Sequence, residues 1–466
     1  MYKVICVVCN YNKQEFVVNC VKSIKEQSIN NILTIVADNA STDDSVKQLR
    51  SNFGDSILVV QNSENKGGSG GFNLGLREAL THESEYIMLI DNDVVLDKDA
   101  IEIMYNYMNE HRDVGILGPT VRMMKNPEKV QDLGGSIGNK YNMYGNYFAD
   151  IDEGLPCEVE ADYISTCAAM ARTEAIKKFG LMPEDNFIYW DDVEWSKKCQ
   201  LAGYKTVAIN KAKVWHNFQT ANVTAFNKYY LLRNRLHFFS KYIGDDEEVE
   251  EFSKVMLEEI FSVLYGYKSK KSWELFNAIV YGLDDFIHEV RGRADEYKIQ
   301  PLQSRKTPFE EVVSGKKIIK INLIDNFSEE LETEIFSILL CVIKNIVSVN
   351  KEVKITVSLK GTIYKTEDYN KYLLHELERC MFRDILPDIS IESANEKVDL
   401  ELQLCKHVRE VEREILPKVY VDRYCNCISN EQEYKYFKMF NEMKEFFLAE
   451  KEPLFIEAVR KIRDAR

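Results

Sequence analysis

The chain has 466 residues and a formal net charge of −15, because 60 lysines and arginines stand against 75 aspartates and glutamates. A surface this acidic repels the phosphates of nucleic acids, and we therefore expect no nucleic-acid partner. Hydrophobic residues make up 45% of the chain and aromatic residues 11%, which excludes an intrinsically disordered protein.

Membrane-spanning and exported proteins are the next classes that the sequence argues against. No apolar run reaches the roughly 18 residues that a membrane-spanning helix needs. The N-terminal segment lacks the basic region and cleavage site of a secretion signal, and it predicts a first strand instead. The 11 cysteines are scattered and odd in number, which is typical of reduced thiols. We therefore expect a cytoplasmic protein.

The first half of the chain alternates short apolar runs with helical patterns. Strands are predicted at 4–8, 32–37, 57–61 and 86–90, and helices at 16–27, 46–53 and 70–80. Such alternation is typical of βαβ units in a mainly parallel sheet, where ligands bind beyond the carboxyl ends of the strands. Polar clusters follow three of these strands, at 9–13, 38–44 and 91–93. We expect the three clusters to form one site.

The remainder of the chain is predicted to contain a helical connector at 241–300 and a smaller α/β domain at 301–466. In that domain, strands are predicted at 317–324, 353–359, 398–404 and 418–421, and helices at 328–347, 371–382, 431–450 and 453–463. No motif there indicates a role.

The segment Asp91-Asn92-Asp93 directly follows the predicted strand at 86–90. Two carboxylates two positions apart at a strand end can face one divalent ion, and oxygen ligands suit Mg²⁺ or Mn²⁺. Such ions usually also coordinate substrate phosphates. The alternative interpretation of so short a motif is a solvated turn.

A glycine-rich segment, Gly67 to Gly71, lies between the third strand and the following helix. Its four glycines permit a close approach of the backbone to a ligand, and the helix N-terminus favours an anion such as phosphate. The preceding Lys66 adds a positive charge. The alternative is a flexible turn.

An acidic and aromatic cluster occupies Trp190-Asp191-Asp192-Val193-Glu194-Trp195. Aromatic neighbours desolvate carboxylates and raise their pKa toward that of a useful base, and flat rings suit the C–H faces of sugars. Alternatively, the acids complement a helix dipole. His216 follows a further apolar run, and it becomes a candidate ligand only because a metal site is already predicted nearby.

The order of these motifs resembles the family-2 inverting glycosyltransferases of GT-A fold, over residues 1–240. The matching motifs are Asp38-Asn39-x-Ser41-x-Asp43, the glycine-rich segment, Asp91-x-Asp93, Trp190-Asp191-Asp192-x-Glu194 and His216. Within that family, the glycine-rich segment and the acidic cluster look most like bacterial galactofuranosyltransferases, with rhamnosyltransferases next. The implied fold is an α/β, Rossmann-like GT-A catalytic domain at 1–240. The helical connector and the smaller C-terminal α/β domain, predicted from the residue patterns, lie outside the resemblance.

The resemblance implies a role for each matching residue. Those that would bind the nucleotide are Cys9, Asn10, Asp38, Asn39, Lys66, Gly70, Asp91 and Asn92. Asp93 and His216 would bind Mn²⁺ or Mg²⁺, and Asp192 would be the catalytic base. Those that would hold the sugar substrates are Trp190, Asp191, Glu194 and Trp195.

The implied function is metal-dependent transfer of a sugar from a UDP or dTDP donor to a glycan or lipid-linked glycan in bacterial surface polysaccharide synthesis. Galactofuranose is the favoured sugar, and rhamnose from a dTDP donor is the alternative. A nucleotidyltransferase and a non-catalytic nucleotide-sugar-binding or scaffold protein are the competing interpretations. We leave a homo-oligomer open.

Two further patterns allow a functional and a structural interpretation. The basic and aromatic segment 226–242 contains Lys228, Arg233, Arg235, His237 and Lys241. It could contact an anionic membrane on its inner face or a lipid-linked diphosphate, or it could pack its aromatics on the catalytic domain. Zinc binding by Cys405-x-His407 and Cys425-x-Cys427 competes with ordinary buried thiols, which the one-residue spacings favour.

Overall fold

The computed structural model describes residues 1–138, 141–145, 155–217, 223–270, 272–300, 308–323, 332–358, 388–391, 398–405, 419–422, 425, 427–429 and 440–466. Within these ranges, no helix combines the length and the apolar character that crossing a bilayer requires.

The N-terminal part of the chain is a mixed sheet covered by helices. Its strands are β1 Tyr2–Asn10, β2 Ile32–Asp38, β3 Leu58–Gln61, β4 Ser84–Asp91, β5 Val94–Leu96, β6 Val114–Met123, β7 Asn126–Asp132, β8 Gly135–Gly138, β9 Asn142–Gly145, β10 Glu158–Glu160, β11 Ala168–Arg172 and β12 Lys205–His216. Its helices are α1 Gln14–Lys25, α2 Ser45–Phe53, α3 Gly67–Ala79, α4 Ala100–Glu110, α5 Thr173–Phe179 and α6 Asp191–Leu201.

The main sheet has the strand order β10-β12-β6-β11-β4-β1-β2-β3, with β5 paired to β12 and β7 to β6. The four predicted strands are confirmed as the parallel set β1 to β4, with β1 between β2 and β4. The antiparallel strand β11 joins this set to the strands that follow it. Strands β8 and β9 form a separate hairpin.

Strand register brings the predicted polar clusters together at one edge of the sheet. Asn10 pairs with Asp38, Asp38 with Gln61, and Cys9 with Asp91. Asn10, Asp38, Gln61 and Asp91 are the last residues of their strands, so the side chains that follow them share a single surface. The sequence prediction that these strand ends converge is therefore confirmed.

Both faces of the sheet are buried, which explains the nearly continuous apolar run of β1. Residues from α1, α2 and α4 pack on one face, among them Val17, Leu49 and Met104. Residues from α3 and α6 pack on the other, including Leu76 and Trp195.

Three long helices follow the sheet. They are α7 Ala225–Tyr242, α8 Asp246–Ser269 and α9 Trp273–Ile287, and the short helices α10 Glu296–Ile299 and α11 Pro308–Val313 come next. The long helices share an apolar core that includes Leu236, Phe252 and Phe286. The connector is thus helical as predicted, while the limits at 240 and 300 stay predictions.

The second sheet lies in the C-terminal part of the chain. Its strands are β13 Ile318–Leu323, β14 Lys354–Ser358, β15 Asp388–Ile391, β16 Leu400–Leu404, β17 Val419–Val421 and β18 Cys427–Ile428. Their order is β15-β14-β13-β16-β17-β18, parallel except for the last pair. Helix α12, Glu332–Val349, supplies much of its core. The helix predicted at 371–382 lies outside the described residues.

The C-terminal helix differs from the prediction. Two helices separated before Pro453 were expected, but one helix, α13, runs from Phe440 to Asp464 through that proline. Proline removes a helical hydrogen bond and usually ends a helix. Here Phe455 and Val459 lie in the core shared with α8 and α9, and this packing favours continuation of the helix.

The loop before α6 adopts an uncommon backbone conformation. Phe187, Tyr189 and Trp190 have φ angles of 67°, 64° and 64°. This left-handed region is rarely occupied by bulky residues, and it is retained only where neighbouring groups hold it. The loop ends at Asp191, the first residue of α6, so it orients the predicted acidic pair.

Two polar side chains of α7 hold this loop through its carbonyl groups. The Asn234 side-chain amide donates to the carbonyl oxygens of Asn186, Ile188 and Tyr189 at 2.9, 2.8 and 3.1 Å. The Arg233 guanidinium donates to the Asn186 carbonyl at 3.2 Å. Both side chains are almost fully buried, so water cannot replace these bonds.

Removal of the Asn234 amide is predicted to release the loop. Asn234→Ala leaves three carbonyls without this donor and should lower the free energy of unfolding by about 1–3 kcal/mol. Hydrogen exchange at residues 186–190 should accelerate more than exchange in β1. Lys228→Ala, on the same helix, is the control and should change neither quantity. Equal exchange rates in Asn234→Ala and the wild type would contradict this role for α7.

Candidate active site

A cleft of about 450 Å³ opens at the carboxyl edge of the parallel strands. Of the predicted nucleotide-binding residues, Cys9, Asn39, Asp91 and Asn92 line it. The rest of its wall is formed by Tyr11, Lys13, Asn65, Gly67, Gly68, Phe187, Ile188, Phe226, Tyr230, Arg293, Ala294, Glu296 and Ile299. The cleft therefore combines strand ends, the glycine-rich segment and residues from beyond the sheet.

Asp38 and Asn10 support the floor of this cleft. Asp38 is fully buried, and its carboxylate accepts from the Asn10 side-chain amide at 2.9 Å and from the Ser41 backbone amide at 3.1 Å. Asn10 in turn accepts from the Asn92 side chain at 2.8 Å. These bonds connect the ends of β1, β2 and β4. Their contact with a nucleotide stays a prediction, since neither Asp38 nor Asn10 is among the residues that line the cleft.

The glycine-rich segment forms the first turn of α3 rather than a loop before it. Gly67 has a φ of 72°, and a Cβ there would collide with the Phe187 carbonyl oxygen. A Cβ at Gly71 would collide with Cys9 Sγ. The predicted residue Gly70 is buried in this turn, and Lys66 is exposed just before it. Glycine is therefore required for close packing against the 187–190 loop and the end of β1.

Asp91, Asp93 and His216 form a group able to hold a metal ion. One ligand atom from each residue can be chosen so that the atoms all lie within 4.8 Å of one another. Asp91 ends β4, and His216 ends β12, where it pairs with Val94 of β5. The strand pairing therefore brings together residues more than 120 positions apart in the sequence.

The electrostatics of this group favour a bound cation. Burial raises the pKa of Asp91 to about 7, although the nearby His216 opposes the shift. Burial lowers the pKa of His216, but its hydrogen bond to Asp93 and the charges of both aspartates outweigh burial and raise that pKa overall. His216 Nε2 lies 3.3 Å from Asp93 Oδ1. Its Nδ1 lies 3.1 Å from Gln131 Oε1, which orients the imidazole ring.

The acidic pair at the start of α6 is asymmetric. Asp191 is buried and accepts a hydrogen bond from the Ser69 hydroxyl at 2.8 Å. Asp192 is less buried, and its side chain accepts from the Val193 backbone amide at 2.8 Å. Burial and the charge of Asp191 raise the pKa of Asp192 to about 8. Asp192 is thus the more accessible carboxylate and the one whose pKa suits a base near neutral pH.

Three of the predicted sugar-binding residues are buried and contact other parts of the fold. Trp195 is fully buried, and its indole nitrogen donates to the Gly180 carbonyl at 3.0 Å. Trp190 is 2% exposed and packs against Phe238. The Glu194 carboxylate is buried and pairs with Lys241 at 2.5 Å. Packing leaves these three side chains almost no exposure to solvent, and their contact with a sugar stays a prediction.

Several basic residues of the segment 226–242 pack within the fold. Arg233 is fully buried, and Arg235 is 8% exposed and pairs with Glu259 at 2.8 Å. His237 is 3% exposed. This burial and pairing, which extends to Lys241 and Glu194, supports the packing alternative, and contact of the segment with a membrane stays a prediction.

The zinc interpretation gains no support from the described residues. Cys425 and Cys427 are buried thiols, and Cys405 is half-buried. His407 lies outside the described residues. Within the part of the chain that the structure describes, the group of Asp91, Asp93 and His216 is the one whose geometry could hold an ion.

Several residues of the site were not among the predicted site residues. Asp132, at the end of β7, influences the pKa of Asp192, and burial raises its own pKa to about 6. Lys13 Nζ lies 3.6 Å from Asp93 Oδ2. Arg293 and its neighbours line the cleft from a segment about 200 positions beyond β4. The position of Lys13 just after a predicted strand could have identified it from the sequence. Asp132 and Arg293 reach the site only through tertiary packing.

Part of the chain that forms this site is similar to a known protein family. Residues 5–179 match the model of the family described as Glycosyl transferase family 2. The matched segment includes most of β1, all of β2 to β4, the glycine-rich turn and the Asp91-x-Asp93 motif, while Asp192 and His216 lie beyond it.

The curated relatives include two bacterial galactofuranosyltransferases. GlfT2 of Mycobacterium tuberculosis is 24% identical over 200 residues, 39% of this chain and 31% of that protein. GlfT2 of Mycolicibacterium smegmatis is 28% identical over 200 residues, 38% of this chain and 31% of that protein. This chain therefore covers about a third of the length of either protein. An uncharacterized glycosyltransferase of Haemophilus influenzae is 23% identical over 333 residues, 68% of this chain and 97% of that protein.

Among solved structures, S. aureus TarS has a TM-score of 0.42 and 17% identity to this chain, covering 62% of this chain and 49% of that chain. The family match covers the strands that build the parallel edge of the sheet, and that edge carries the aspartate pair and the glycine-rich turn. Residues 5–179 of this α/β chain therefore match a glycosyl transferase family 2 domain.

Proposed function

We propose that this protein is a metal-dependent inverting glycosyltransferase that uses a nucleotide diphosphate sugar. The observation that carries the proposal is the position of Asp91, Asp93 and His216 beside the cleft, in a family 2 domain. The acceptor would be a hydroxyl of a glycan or of a lipid-linked glycan. The galactofuranosyltransferases among the relatives support galactofuranose as the sugar, with rhamnose from a dTDP donor as the alternative.

The chemistry of the candidate ligands fits Mn²⁺ better than Mg²⁺. Two carboxylates suit either ion, but an imidazole nitrogen is an uncommon ligand for the harder Mg²⁺. A bound divalent ion would neutralise charge on the donor diphosphate as it leaves. Without a cation, the carboxylates of Asp91 and Asp93 would repel that diphosphate.

Asp192 is the proposed catalytic base. Its carboxylate removes the proton of the acceptor hydroxyl while the hydroxyl oxygen forms a bond to the anomeric carbon. The bond between that carbon and the diphosphate oxygen breaks, and its electron pair leaves with the nucleoside diphosphate. A single displacement inverts the anomeric centre, so the mechanism needs no second nucleophile. The Ser69 hydroxyl holds Asp191 in a separate hydrogen bond, which leaves Asp192 free for this step.

Loss of the Asp192 carboxylate should abolish transfer while the nucleotide still binds. Asp192→Asn should lower kcat by about 10²–10⁴-fold, the usual contribution of a general base. The affinity for UDP should be unchanged, since Asp192 is not among the residues that line the cleft. Asp55→Asn, at an exposed acid, is the control and should retain full activity. Near wild-type turnover in Asp192→Asn would exclude the assignment.

The pH dependence of kcat/KM should reflect the ionisation of the Asp192 carboxylate. Because a base acts in its deprotonated form and the pKa of Asp192 is raised to about 8, kcat/KM should rise with pH and level off above about 8. A kcat/KM that stays constant between roughly pH 6 and pH 9 would contradict a base with this pKa.

Metal binding should depend on His216. His216→Ala should weaken Mn²⁺ binding by at least about tenfold in calorimetric titration, since one of three candidate ligands is lost. The exposed residue His288 provides the control, and His288→Ala should bind Mn²⁺ as the wild type does. Unchanged affinity in His216→Ala would remove His216 from the ligand set.

A donor screen tests the proposed reaction as a whole. Release of nucleoside diphosphate would be measured with UDP-galactofuranose, dTDP-rhamnose and UDP-hexopyranoses, against a panel of lipid-linked glycan acceptors. We expect acceptor-dependent release, greatest with UDP-galactofuranose and abolished by chelation. Nucleotide binding without release from any donor would favour the non-catalytic alternative.

A further inference from the structure

We propose that Arg293 is a further binding residue for the diphosphate of the donor, which it reaches from a wall that the 293–299 segment adds to the cleft. This inference deepens the proposed function and rests on it. Arg293, Ala294, Glu296 and Ile299 line the same cleft as Asp91 and the glycine-rich turn. The segment lies outside the residues that match the family, so neither the family match nor the sequence motifs assign it a role.

The backbone of this wall is fixed on both sides of Arg293. The Gly292 carbonyl accepts from the buried Arg233 guanidinium at 2.9 Å, and the Gly292 amide donates to the Asp185 carbonyl at 2.7 Å. On the other side, the Ala294 amide donates to the Tyr230 hydroxyl at 2.7 Å. These contacts hold the wall against α7 and the segment that leads into the 187–190 loop.

A buried ion pair anchors the far end of the wall. Lys298 Nζ lies 2.8 Å from Asp285 Oδ1, and both side chains are at most 10% exposed. The Asp285 carboxylate also accepts from the Tyr229 hydroxyl of α7. The wall is therefore fixed at Gly292, Ala294 and Lys298, and it requires no ligand to take this position.

The side chain of Arg293, in contrast, is available to a ligand. It is 55% exposed, and its recorded ion pair is with Glu296 at 4.0 Å, the limit of such a contact. A surface pair of this length contributes little to stability and is easily exchanged. Among the described residues that line the cleft, Lys13 and Arg293 are the cations, and Lys13 already lies near Asp93.

The negative charge of the site explains why a cation such as Arg293 would be needed to bind the donor. Asp91 lines the cleft and Asp191 lies close beside it, so the site is acidic before an anionic donor enters. The diphosphate gains a further negative charge when the glycosidic bond breaks. A planar guanidinium can donate two parallel hydrogen bonds to phosphate oxygens, which a lysine cannot. Arg293 would therefore bind the leaving diphosphate more strongly than the intact donor.

The test compares ligands with and without the diphosphate. Calorimetric titrations in Mn²⁺ would use UDP and uridine with the wild type, Arg293→Gln, Arg293→Lys and, as control, Arg50→Gln at an exposed arginine of α2. Arg293→Gln should weaken UDP binding by about tenfold and leave uridine binding unchanged, as expected for loss of a charge-assisted hydrogen bond. Arg293→Lys should restore part of the affinity, and Arg50→Gln should match the wild type.

The outcomes separate this inference from the function on which it rests. If the wild type binds UDP and Arg293→Gln binds it equally well, the role of Arg293 is excluded while the proposed function stands. An equal loss of UDP and uridine binding would show a structural role and would likewise overturn the inference. If the wild type binds neither UDP nor dTDP, the proposed function and this inference both fail.

Discussion

The constraint on which the site depends is the repulsion among carboxylates held close together at one edge of a buried sheet. Asp91, Asp93 and Asp191 lie close together there because the strand register places the first two at this edge and α6 begins at Asp191. Burial makes their charges costly, as the raised pKa values of Asp91 and Asp191 indicate. An anionic donor can enter such a site only if cations offset these charges.

The positive groups around the site follow from this constraint. His216 and Lys13 contact Asp93, while the Ser69 hydroxyl satisfies Asp191 without adding charge. Even with these partners, burial keeps the pKa of Asp91 well above its usual range. A divalent ion, and Arg293 in the wall formed by 293–299, would supply further positive charge. Helix α7 connects the two sides, because Arg233 bonds to the segments that carry both the acidic pair and Arg293.

Much of the fold follows from sequence periodicity. The alternation of apolar runs and helical patterns predicts β1 to β4 and the convergence of their polar ends, because the carboxyl ends of parallel strands share an edge. The metal group also follows from the motif at Asp91 and Asp93. The burial of Trp195 and Glu194 could not be predicted, because the sequence alone does not show whether an aromatic or acidic residue lies in a core or in a binding site. Only packing against Phe179 and pairing with Lys241 distinguish these cases. The wall at 293–299 was likewise beyond prediction, since tertiary contacts alone bring it to the cleft.

The central claim is that a divalent cation held by Asp91, Asp93 and His216 binds the donor diphosphate. Anomalous diffraction at the manganese absorption edge, from crystals grown with Mn²⁺ and UDP, tests it most directly. The account predicts one strong anomalous peak within bonding distance of at least two of the three side chains, with the UDP diphosphate on its open side. UDP bound in the cleft without a peak at these residues, or a peak elsewhere in the protein, would contradict the account.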